Sequence, residues 1–459
     1  MGYLKLLLLL MLVGVEAKAQ VDSGDFQARR RAAMDKCPDG IVLLHSNFGL
    51  KRWEESGFRQ DPNFYYFTGL INAQAILAID GRERQSWLFV PPEERSLSGP
   101  FQGYNRVFLS PGRTTEGELN IEHVVQWGEL IPFIESRRKV DSKLPIYLDS
   151  GGQTGAMMGR VSNPAGLAGV FNPHILWTDA LRAKWPDLVV RDAFPILDEI
   201  RSVKSAGEIA LLRKAAGVTA DGFWTGVRSI GPGRTQRQVE GDVVRGCTEA
   251  GSDGASLWPW VRSGPYALGP ALFTAFVDYH NLNRKMQVGE LVRLDVGCDY
   301  EMYKGDFGRT IPVSGRFDEG QSETLDLLNG TYLAGLKVMK DGAPSSEVPK
   351  AAVEYIKEHQ AGLKTPMAKK AAENALKQGS WALHGLGVDM AEGRPKVFRA
   401  GNVVCFEPLF TADDQAFFVE DTILITPTGY EIINPPLPYS PIDIEKAMAE
   451  RKKSRQQNR

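Results

Sequence analysis

Short apolar runs separated by turn residues dominate the first part of the chain. Residues 41–44, 75–79 and 87–90 are such runs, and turn-forming pairs follow the last two of them. Apolar runs of this length, with turn residues between them, are typical of strands in a buried sheet. The pattern therefore predicts a sheet-containing region from about Asp22 to Pro195.

After a boundary near residues 196–204, the spacing of apolar residues becomes helical. Ser205 and Glu208 stand three positions apart, as in a capping box, where each side chain accepts a hydrogen bond from a free backbone amide. Apolar residues continue at helical spacing to Phe223, and a Gly-Pro-Gly sequence beginning at Gly231 ends the pattern. Further helices are predicted near residues 323–339, 348–359, 365–379 and 442–459.

Two acidic residues interrupt apolar segments of β type between residues 291 and 310. Asp295 lies within the run 291–297, and Asp306 lies eleven residues further on. We place Asp306 on the following strand, so that the two carboxylates meet across a hairpin. An inward-pointing carboxylate is costly to bury unless it is paired or binds a metal ion.

Three more ligand-type residues lie further along the chain. His384 precedes a glycine, and Glu407 and Glu420 lie at the ends of apolar, β-branched runs. Four carboxylates in one core are untenable alone, but two divalent cations cancel about four negative charges. Oxygen-rich donors with one imidazole favour manganese, with zinc, cobalt or iron as alternatives. The five residues together predict a centre where two cations hold a hydroxide and a substrate carbonyl.

The first nineteen residues have the pattern of a signal peptide. Lys5 precedes an apolar run over residues 6–15, and Ala17-Lys18-Ala19 has the form of a cleavage signal. The run is too short to cross about 30 Å of hydrocarbon as a helix, although a membrane anchor is the alternative interpretation. We expect export to the periplasm or the exterior, with no membrane attachment after cleavage.

Composition and charge exclude several other classes. Apolar residues make up 43% and charged residues 24%, as in soluble globular proteins. A net charge of −2 argues against a general binder of nucleic acid or anionic membranes. Four scattered cysteines argue against a disulfide scaffold or a zinc ribbon. An exported protein can hold a disulfide, but the sequence requires no particular pair.

The motifs around the five ligand-type residues resemble those of a known family. The strings LDVG, GDFGRT, LHGLGVD, FEP and VEDT resemble the pita-bread metallopeptidases, and FRQDPNFYYFTG resembles the N-terminal domain of aminopeptidase P. The resemblance implies an α+β fold class, with a creatinase/aminopeptidase P-like α/β domain followed by a pita-bread catalytic domain. The corresponding segments are a signal peptide over residues 1–19, domains over 20–200 and 201–445, and a basic tail over 446–459.

The same resemblance implies an activity and roles for the ligands. It implies a dinuclear manganese site with Asp295, Asp306 and Glu407 shared or bidentate, His384 on one metal and Glu420 bridging. It implies a hydroxide nucleophile with Glu407 as the proton shuttle. The expected reaction is removal of the N-terminal residue before proline from Xaa-Pro peptides, by a homodimer or homotetramer.

The sequence departs from the family pattern at three positions around the centre. Asp278 and Ala391 stand where the family usually has histidines, and Phe418 stands where it often has arginine. His280 would share a strand face with Asp278 and reach the pocket from there. Loss of one oxyanion donor typically costs about 10²–10³ in rate. Glu407, His280 and Asp278 are therefore the candidate catalytic residues, with Asp278 alternatively holding a substrate ammonium group.

These departures leave a second hypothesis open. The chain would then be a metal-binding homologue with lost or altered peptidase activity, acting as a scaffold or binding protein, a prolidase-like dipeptidase or another small-molecule hydrolase. Cys298 and Cys405 are expected to pack beside the ligands rather than act as nucleophiles. The aromatic residues 64–67 are assigned either to the core or to a substrate wall or subunit contact.

Overall fold

The structure is a computed structural model that describes most of the chain. The described residues are 21–47, 58–71, 74–91, 112–149, 173–258, 260–268, 283–393 and 395–457. The predicted signal peptide and the candidate catalytic residues Asp278 and His280 lie outside them.

The N-terminal region alternates strands and helices. Its helices are α1 (Ser23–Lys36), α2 (Pro62–Thr68), α3 (Arg113–Leu119), α4 (Leu130–Val140), α5 (Pro173–Lys184) and α6 (Phe194–Ser202). Its strands are β1 (Ile41–His45), β2 (Ile76–Asp80), β3 (Gln85–Val90), β4 (His123–Gln126), β5 (Pro145–Leu148) and β6 (Val189–Asp192). The three strands predicted from the apolar runs are confirmed as β1, β2 and β3.

These strands form one mixed sheet with apolar packing on both faces. Its order is β4-β3-β2-β1-β5-β6; β1 pairs antiparallel with β2 and parallel with β5. Val42 and Leu44 face one apolar cluster, whereas Ile41 and Leu43 face another. Alternate residues of a strand point to opposite faces, so both faces of β1 are buried, which explains its uninterrupted apolar run.

The aromatic segment 64–67 forms the buried part of α2. Asp61 begins this helix by accepting a hydrogen bond from the Phe64 amide, and Gly69 ends it in the left-handed conformation at a φ of 72°. Phe64 and Phe67 are fully buried in the N-terminal core. The hydroxyl of Tyr65 donates to the carbonyl of Glu301 at 3.2 Å, so α2 also contacts the C-terminal region. The core assignment of this segment is confirmed.

The C-terminal region combines long helices with antiparallel strands. Its helices are α7 (Ala206–Ser229), α8 (Gln236–Glu249), α9 (Glu319–Lys337), α10 (Glu347–His359), α11 (Pro366–Gln378) and α12 (Pro441–Gln457). Its strands are β7 (Gly254–Ala255), β8 (Val261–Ser263), β9 (Leu291–Val296), β10 (Cys298–Tyr300), β11 (Tyr303–Lys304), β12 (Phe307–Pro312), β13 (Ser380–Gly385), β14 (Val403–Ala412), β15 (Gln415–Ile425) and β16 (Tyr430–Ile432). The capping box of Ser205 and Glu208 at the start of α7 is confirmed.

The main sheet of this region has the order β13-β14-β15-β12-β9-β8, with β16 paired to β15. Strands β9 and β12 pair antiparallel, as predicted, with Gly308 opposite Asp295. The prediction that Asp306 lies on the strand directly after β9 is wrong. Asp306 immediately precedes β12, and the short strands β10 and β11, which form a second sheet with β7, come between. The fold class is confirmed as α+β, and no helix within the described ranges has both the length and the apolarity to cross a bilayer.

A disulfide between Cys247 and Cys298 joins α8 to β10. The sequence allowed such a bond without indicating the pair, and it placed Cys298 among the packing residues. The cysteines lie 51 positions apart. The bond therefore closes a long loop and removes conformations from the unfolded chain.

Reduction of this disulfide is expected to lower the free energy of unfolding by about 2–4 kcal/mol, the usual effect of such a cross-link. Urea unfolding with and without reductant measures the change. The Cys247→Ser/Cys298→Ser variant is the control, because its stability should not respond to reductant. Detection of four free thiols in the denatured, unreduced protein would contradict the prediction.

Candidate metal centre

The five predicted ligand residues lie together in the C-terminal region, in two overlapping groups. Asp306, His384, Cys405 and Glu420, here called the His384 group, have ligand atoms within 4.8 Å of one another. Asp295, Glu407 and Glu420, here called the Asp295 group, meet the same distance. Glu420 belongs to both groups, so the two positions are adjacent.

Strand register explains how residues distant in sequence converge. Gly308 of β12 lies opposite Asp295 on one side and opposite Glu420 on the other. His384 of β13 lies opposite Cys405 of β14, two residues before Glu407 on the same strand face. A Cβ atom at position 308 would lie 2.4 Å from the Phe418 ring and 2.6 Å from the Leu294 carbonyl. Only glycine therefore allows the three strands to approach this closely.

The imidazole of His384 points its Nε2 atom at the carboxylates. Nε2 lies 3.6 Å from Asp306 Oδ2, 3.7 Å from Glu407 Oε1 and 3.8 Å from Glu420 Oε1. Its other nitrogen, Nδ1, lies 3.0 Å from the carbonyl oxygen of Gly385. We assign the proton to Nδ1 because only that tautomer donates to the carbonyl, which leaves the Nε2 lone pair available to a cation.

Three buried carboxylate oxygens have no hydrogen-bond partner among the described residues: Asp306 Oδ1 and both Oε atoms of Glu420. A buried carboxylate without a partner is strongly unfavourable. Such oxygens, converging with an imidazole nitrogen, are the donors that a divalent cation takes. The side chains therefore fit the metal site that the sequence predicts.

The electrostatics of the centre lead to the same conclusion. Burial, together with the charges of Asp295 and Glu407, raises the pKa of Asp306 well above its ordinary value. Burial and the charge of Asp306 likewise raise the pKa of Glu420. Burial also raises the pKa of Glu407, against the opposing effects of His384 and Arg293. These carboxyls cannot all ionise together unless cations neutralise them.

Cys405 lies within the His384 group but has the properties of a packing residue. Burial raises the pKa of its thiol well above 9. The Sγ atom donates to the backbone carbonyl of Asp306 at 3.7 Å. A buried thiol that remains protonated is a poor nucleophile, which favours the predicted packing role.

Sequence analysis missed two arginines at the centre. Arg262 Nη2 lies 2.6 Å and Arg293 Nη2 3.1 Å from Asp295 Oδ2. Arg293 could have been found, because it lies two residues before Asp295 on the same strand face. Arg262 comes from β8, where no motif indicated it. Burial, followed by the charge of Arg293, lowers the pKa of Arg262 to about 10.

Two of the positions that depart from the family pattern have identifiable surroundings. The guanidinium carbon of Arg293 lies 4.1 Å from the centre of the Phe418 ring. A positive charge therefore approaches the centre from β9, although position 418 itself is aromatic. Ala391 lies in the turn after His384, and its side chain has no group that can bind a proton or a metal ion.

A buried ion group holds the turn after His384 in place. Glu392, next to Ala391, accepts from Arg201 Nη2 at 2.9 Å and pairs with Lys204. The backbones of Glu392 and Gly385 also exchange hydrogen bonds of 3.1 and 2.7 Å. Arg201 further donates to Asn63 Oδ1 at 2.7 Å. The turn is thus anchored to α2 and α6 of the N-terminal region.

A buried set of carboxylates and one imidazole on antiparallel strands is typical of a hydrolytic metal centre. Residues 210–427 match the model of metallopeptidase family M24, and residues 26–98 match the aminopeptidase P N-terminal domain. The C-terminal region thus matches metallopeptidase family M24, and the order of the two matched regions is that of aminopeptidase P. The sequence-based predictions of its family and of a hydrolase are therefore confirmed.

Known proteins resemble the chain along nearly its whole length. This chain is 24% identical to the Xaa-Pro aminopeptidase of Escherichia coli, in an alignment that covers 95% of this chain and 100% of the relative. It is 22% identical to the mitochondrial intermediate cleaving peptidase 55 of Arabidopsis thaliana, covering 90% of this chain and 80% of the relative. The structure of E. coli aminopeptidase P with the inhibitor Pro-Leu superimposes with a TM-score of 0.72 at 23% identity, covering 95% and 100% of the two chains. Pseudomonas aeruginosa aminopeptidase PepP gives a TM-score of 0.72 at 21% identity with the same coverage.

Proposed function

We propose that the chain is a metal-dependent aminopeptidase that removes the N-terminal residue preceding proline from peptides. The observation that carries the proposal is the convergence of Asp295, Asp306, His384, Glu407 and Glu420 with unpartnered buried oxygens. The proposed substrate class rests on the relative named Xaa-Pro aminopeptidase, which aligns over 95% of this chain.

The donor set supports two divalent cations, with manganese favoured over zinc, cobalt or iron. The His384 group would hold one cation and the Asp295 group the other, with Glu420 shared between them. Cations bound there would polarise a peptide carbonyl and lower the pKa of a water molecule. The chain itself supplies the negative charge and the fixed geometry that position them.

Glu407 is the carboxylate best placed to move a proton. Its side chain is 22% exposed, whereas those of Asp306 and Glu420 are 2% and 1% exposed. It is therefore the carboxylate that a water molecule from solvent can reach most easily. In the proposed reaction Glu407 accepts a proton from the attacking water and delivers it to the leaving amine. Asp278 and His280 remain the predicted substrate contacts.

The proposal predicts that an Ala-Pro-Xaa peptide loses its alanine when manganese is supplied. An Ala-Ala-Xaa peptide of the same length is the matched control and should be cleaved much more slowly. Quantifying released alanine by chromatography measures both rates. If the protein binds manganese but cleaves neither peptide, the proposed function is wrong.

Manganese binding without cleavage of either peptide would support the alternative of a metal-binding homologue with lost or altered peptidase activity. The alanine at position 391, where the family has an imidazole, favours it. In that case Asp278→His combined with Ala391→His should create activity, because the two imidazoles restore donors for the developing oxyanion. Rapid Ala-Pro-Xaa cleavage by the wild type would exclude it.

We also propose export and self-association. The pattern of residues 1–19 supports removal of a signal peptide, and the Cys247–Cys298 disulfide is the kind of bond that persists in oxidising compartments. A mature N-terminus near Gln20 in the periplasm or medium would agree with this proposal. The expected homodimer or homotetramer is measurable by light scattering of the mature protein.

A further inference from the structure

Three residues with metal-ligating side chains also converge in the N-terminal region. Asp61, Asp149 and His174, here called the Asp61 group, each present a ligand atom, and these atoms lie within 4.8 Å of one another. Both aspartates are buried, and His174 is partly buried. None of the three has a role in the proposed peptidase reaction, so their convergence needs a separate explanation.

Sheet topology places the Asp61 group at the edge where sheets of this type usually bind ligands. Strands β1, β5 and β6 are parallel to one another, and Asp149 directly follows β5. His174 is the second residue of α5, which lies between β5 and β6 in the chain. Crevices at the carboxyl ends of parallel strands are preferred ligand sites. A cavity of about 260 Å³ lies there, and Asp149, His174 and Asp192 of β6 are among the residues that line it.

The spacing of the nearest ligand atoms fits an ion between them better than a hydrogen bond. His174 Nε2 lies 3.7 Å from Asp61 Oδ2. A hydrogen bond between nitrogen and oxygen spans about 2.7–3.2 Å. A tetrahedral zinc ion with bonds of about 2.0–2.2 Å holds its ligand atoms about 3.3–3.6 Å apart. The observed separation is close to the second range.

Hydrogen bonds already orient both carboxylates. The Phe64 amide donates to Asp61 Oδ1 at 2.8 Å. Asn63 Nδ2 donates to Asp149 Oδ2 at 2.6 Å. The Asn63 side chain is itself fixed by Arg201, whose Nη1 donates to Asn63 Oδ1 at 2.7 Å. Outer partners of this kind hold the ligands of a metal site in position.

The charges of the Asp61 group favour a divalent cation. Burial and the charge of Asp149 raise the pKa of Asp61 to about 6. Within the described part of the chain, the ion pair that Asp61 forms is with His174. Burial lowers the pKa of His45, whose ring lies 5.0 Å from that of His174, which favours a neutral second imidazole. One divalent ion would cancel the charges of the two carboxylates.

We propose that the Asp61 group is a separate metal site that binds one zinc ion through Asp61, Asp149 and His174. Imidazole nitrogen and aspartate oxygen are both ordinary zinc ligands, and three protein ligands leave one position for water or another small ligand. The adjoining cavity provides space for that fourth ligand. The site lies outside the metal centre of the C-terminal region, and the inference goes beyond the proposed function.

Zinc binding by the metal-free mature protein tests the proposal. In equilibrium dialysis against micromolar zinc, the wild type should bind one more ion per chain than His174→Gln, which keeps all five ligand residues of the C-terminal centre. Even an outer partner of a metal ligand contributes about 10–100-fold to affinity, so loss of a direct ligand should remove the extra ion. Asp61→Asn should also lose it, although its amide oxygen can still accept from the Phe64 amide.

A matched control and a direct view of the ion complete the experiment. His123→Gln is the control, because His123 lies in the same sheet but its Nε2 contacts Gln85 and its ring stacks on Trp87. It should bind as many zinc ions as the wild type. Anomalous scattering from wild-type crystals grown with zinc should place an ion about 2.0–2.2 Å from His174 Nε2 and from one oxygen of each aspartate.

Equal numbers of zinc ions in the wild type and in folded His174→Gln would overturn the proposal and leave an ordinary ion pair between His174 and Asp61. Wild-type crystals without a zinc peak between the three residues would also overturn it, and this result does not depend on how the variants fold. Both results leave the proposed aminopeptidase function intact, because neither measurement uses a peptide. Conversely, failure to cleave Ala-Pro-Xaa would overturn the proposed function and leave the zinc site standing.

Discussion

Replacement of Glu407 by glutamine is expected to lower the turnover of Ala-Pro-Xaa by about 10²–10⁴-fold, the usual contribution of a positioned general acid–base group. The amide keeps the size of the side chain but cannot accept and release a proton. The effect should fall on kcat rather than KM, because the proton transfer belongs to the chemical step.

The same substitution should leave the metal-free fold intact. Arg293 lies 3.5 Å from Glu407 Oε2 but also 3.1 Å from Asp295 Oδ2, so the substitution does not leave this buried cation without a partner. Glu431→Gln is the matched control, since Glu431 is surface-exposed and pairs with Arg213 away from the centre. An unchanged kcat in Glu407→Gln would show that another group moves the proton.

Replacement of Glu392 by alanine is expected to lower the free energy of unfolding by about 3–5 kcal/mol, because it leaves buried cations without their partner. Arg201 and Lys204 are 1% and 6% exposed, so water cannot replace the lost carboxylate. Urea unfolding measures the change. Glu431→Ala removes an exposed ion pair with Arg213 and should cost no more than about 1 kcal/mol.

The contribution of Glu392 should also depend on pH. Burial would raise its pKa, but the charges and hydrogen bonds of Arg201 and Lys204 outweigh burial and lower the pKa to about 2. A folded-state pKa below the unfolded value of about 4.3 means that the stabilisation is complete above pH 5. It is lost as the pH falls towards 2.

Glu392→Gln separates this effect from the rest of acid denaturation. The difference in unfolding free energy between wild type and Glu392→Gln should be constant above about pH 5 and shrink below it. A difference that does not change with pH would show that Glu392 acts through packing rather than charge. If Glu392→Ala lowered the free energy of unfolding no more than Glu431→Ala does, the buried ion pairs of Glu392 would not contribute substantially to stability.

Local patterns in the sequence predicted most of the elements around the centre. The run 291–297 became β9, and the capping pair Ser205 and Glu208 begins α7 as expected. Such features depend on neighbours within a few positions, so a single stretch of sequence contains the information. The error at Asp306 arose because two short strands interrupt the expected hairpin, and their pairing with β7 involves residues more than forty positions away.

Sequence by itself therefore indicated the chemistry of this protein: the five candidate ligand residues, the strands that present most of them and the family that the chain resembles. Tertiary structure decided which side chains contact one another. Arg262 pairs with Asp295, Arg201 pairs with Glu392 and Cys247 bonds to Cys298 only because of the register and packing of elements far apart in the chain. The physical reason is that electrostatic and covalent contacts act over a few ångströms, and strand pairing brings residues to that distance regardless of their separation in sequence.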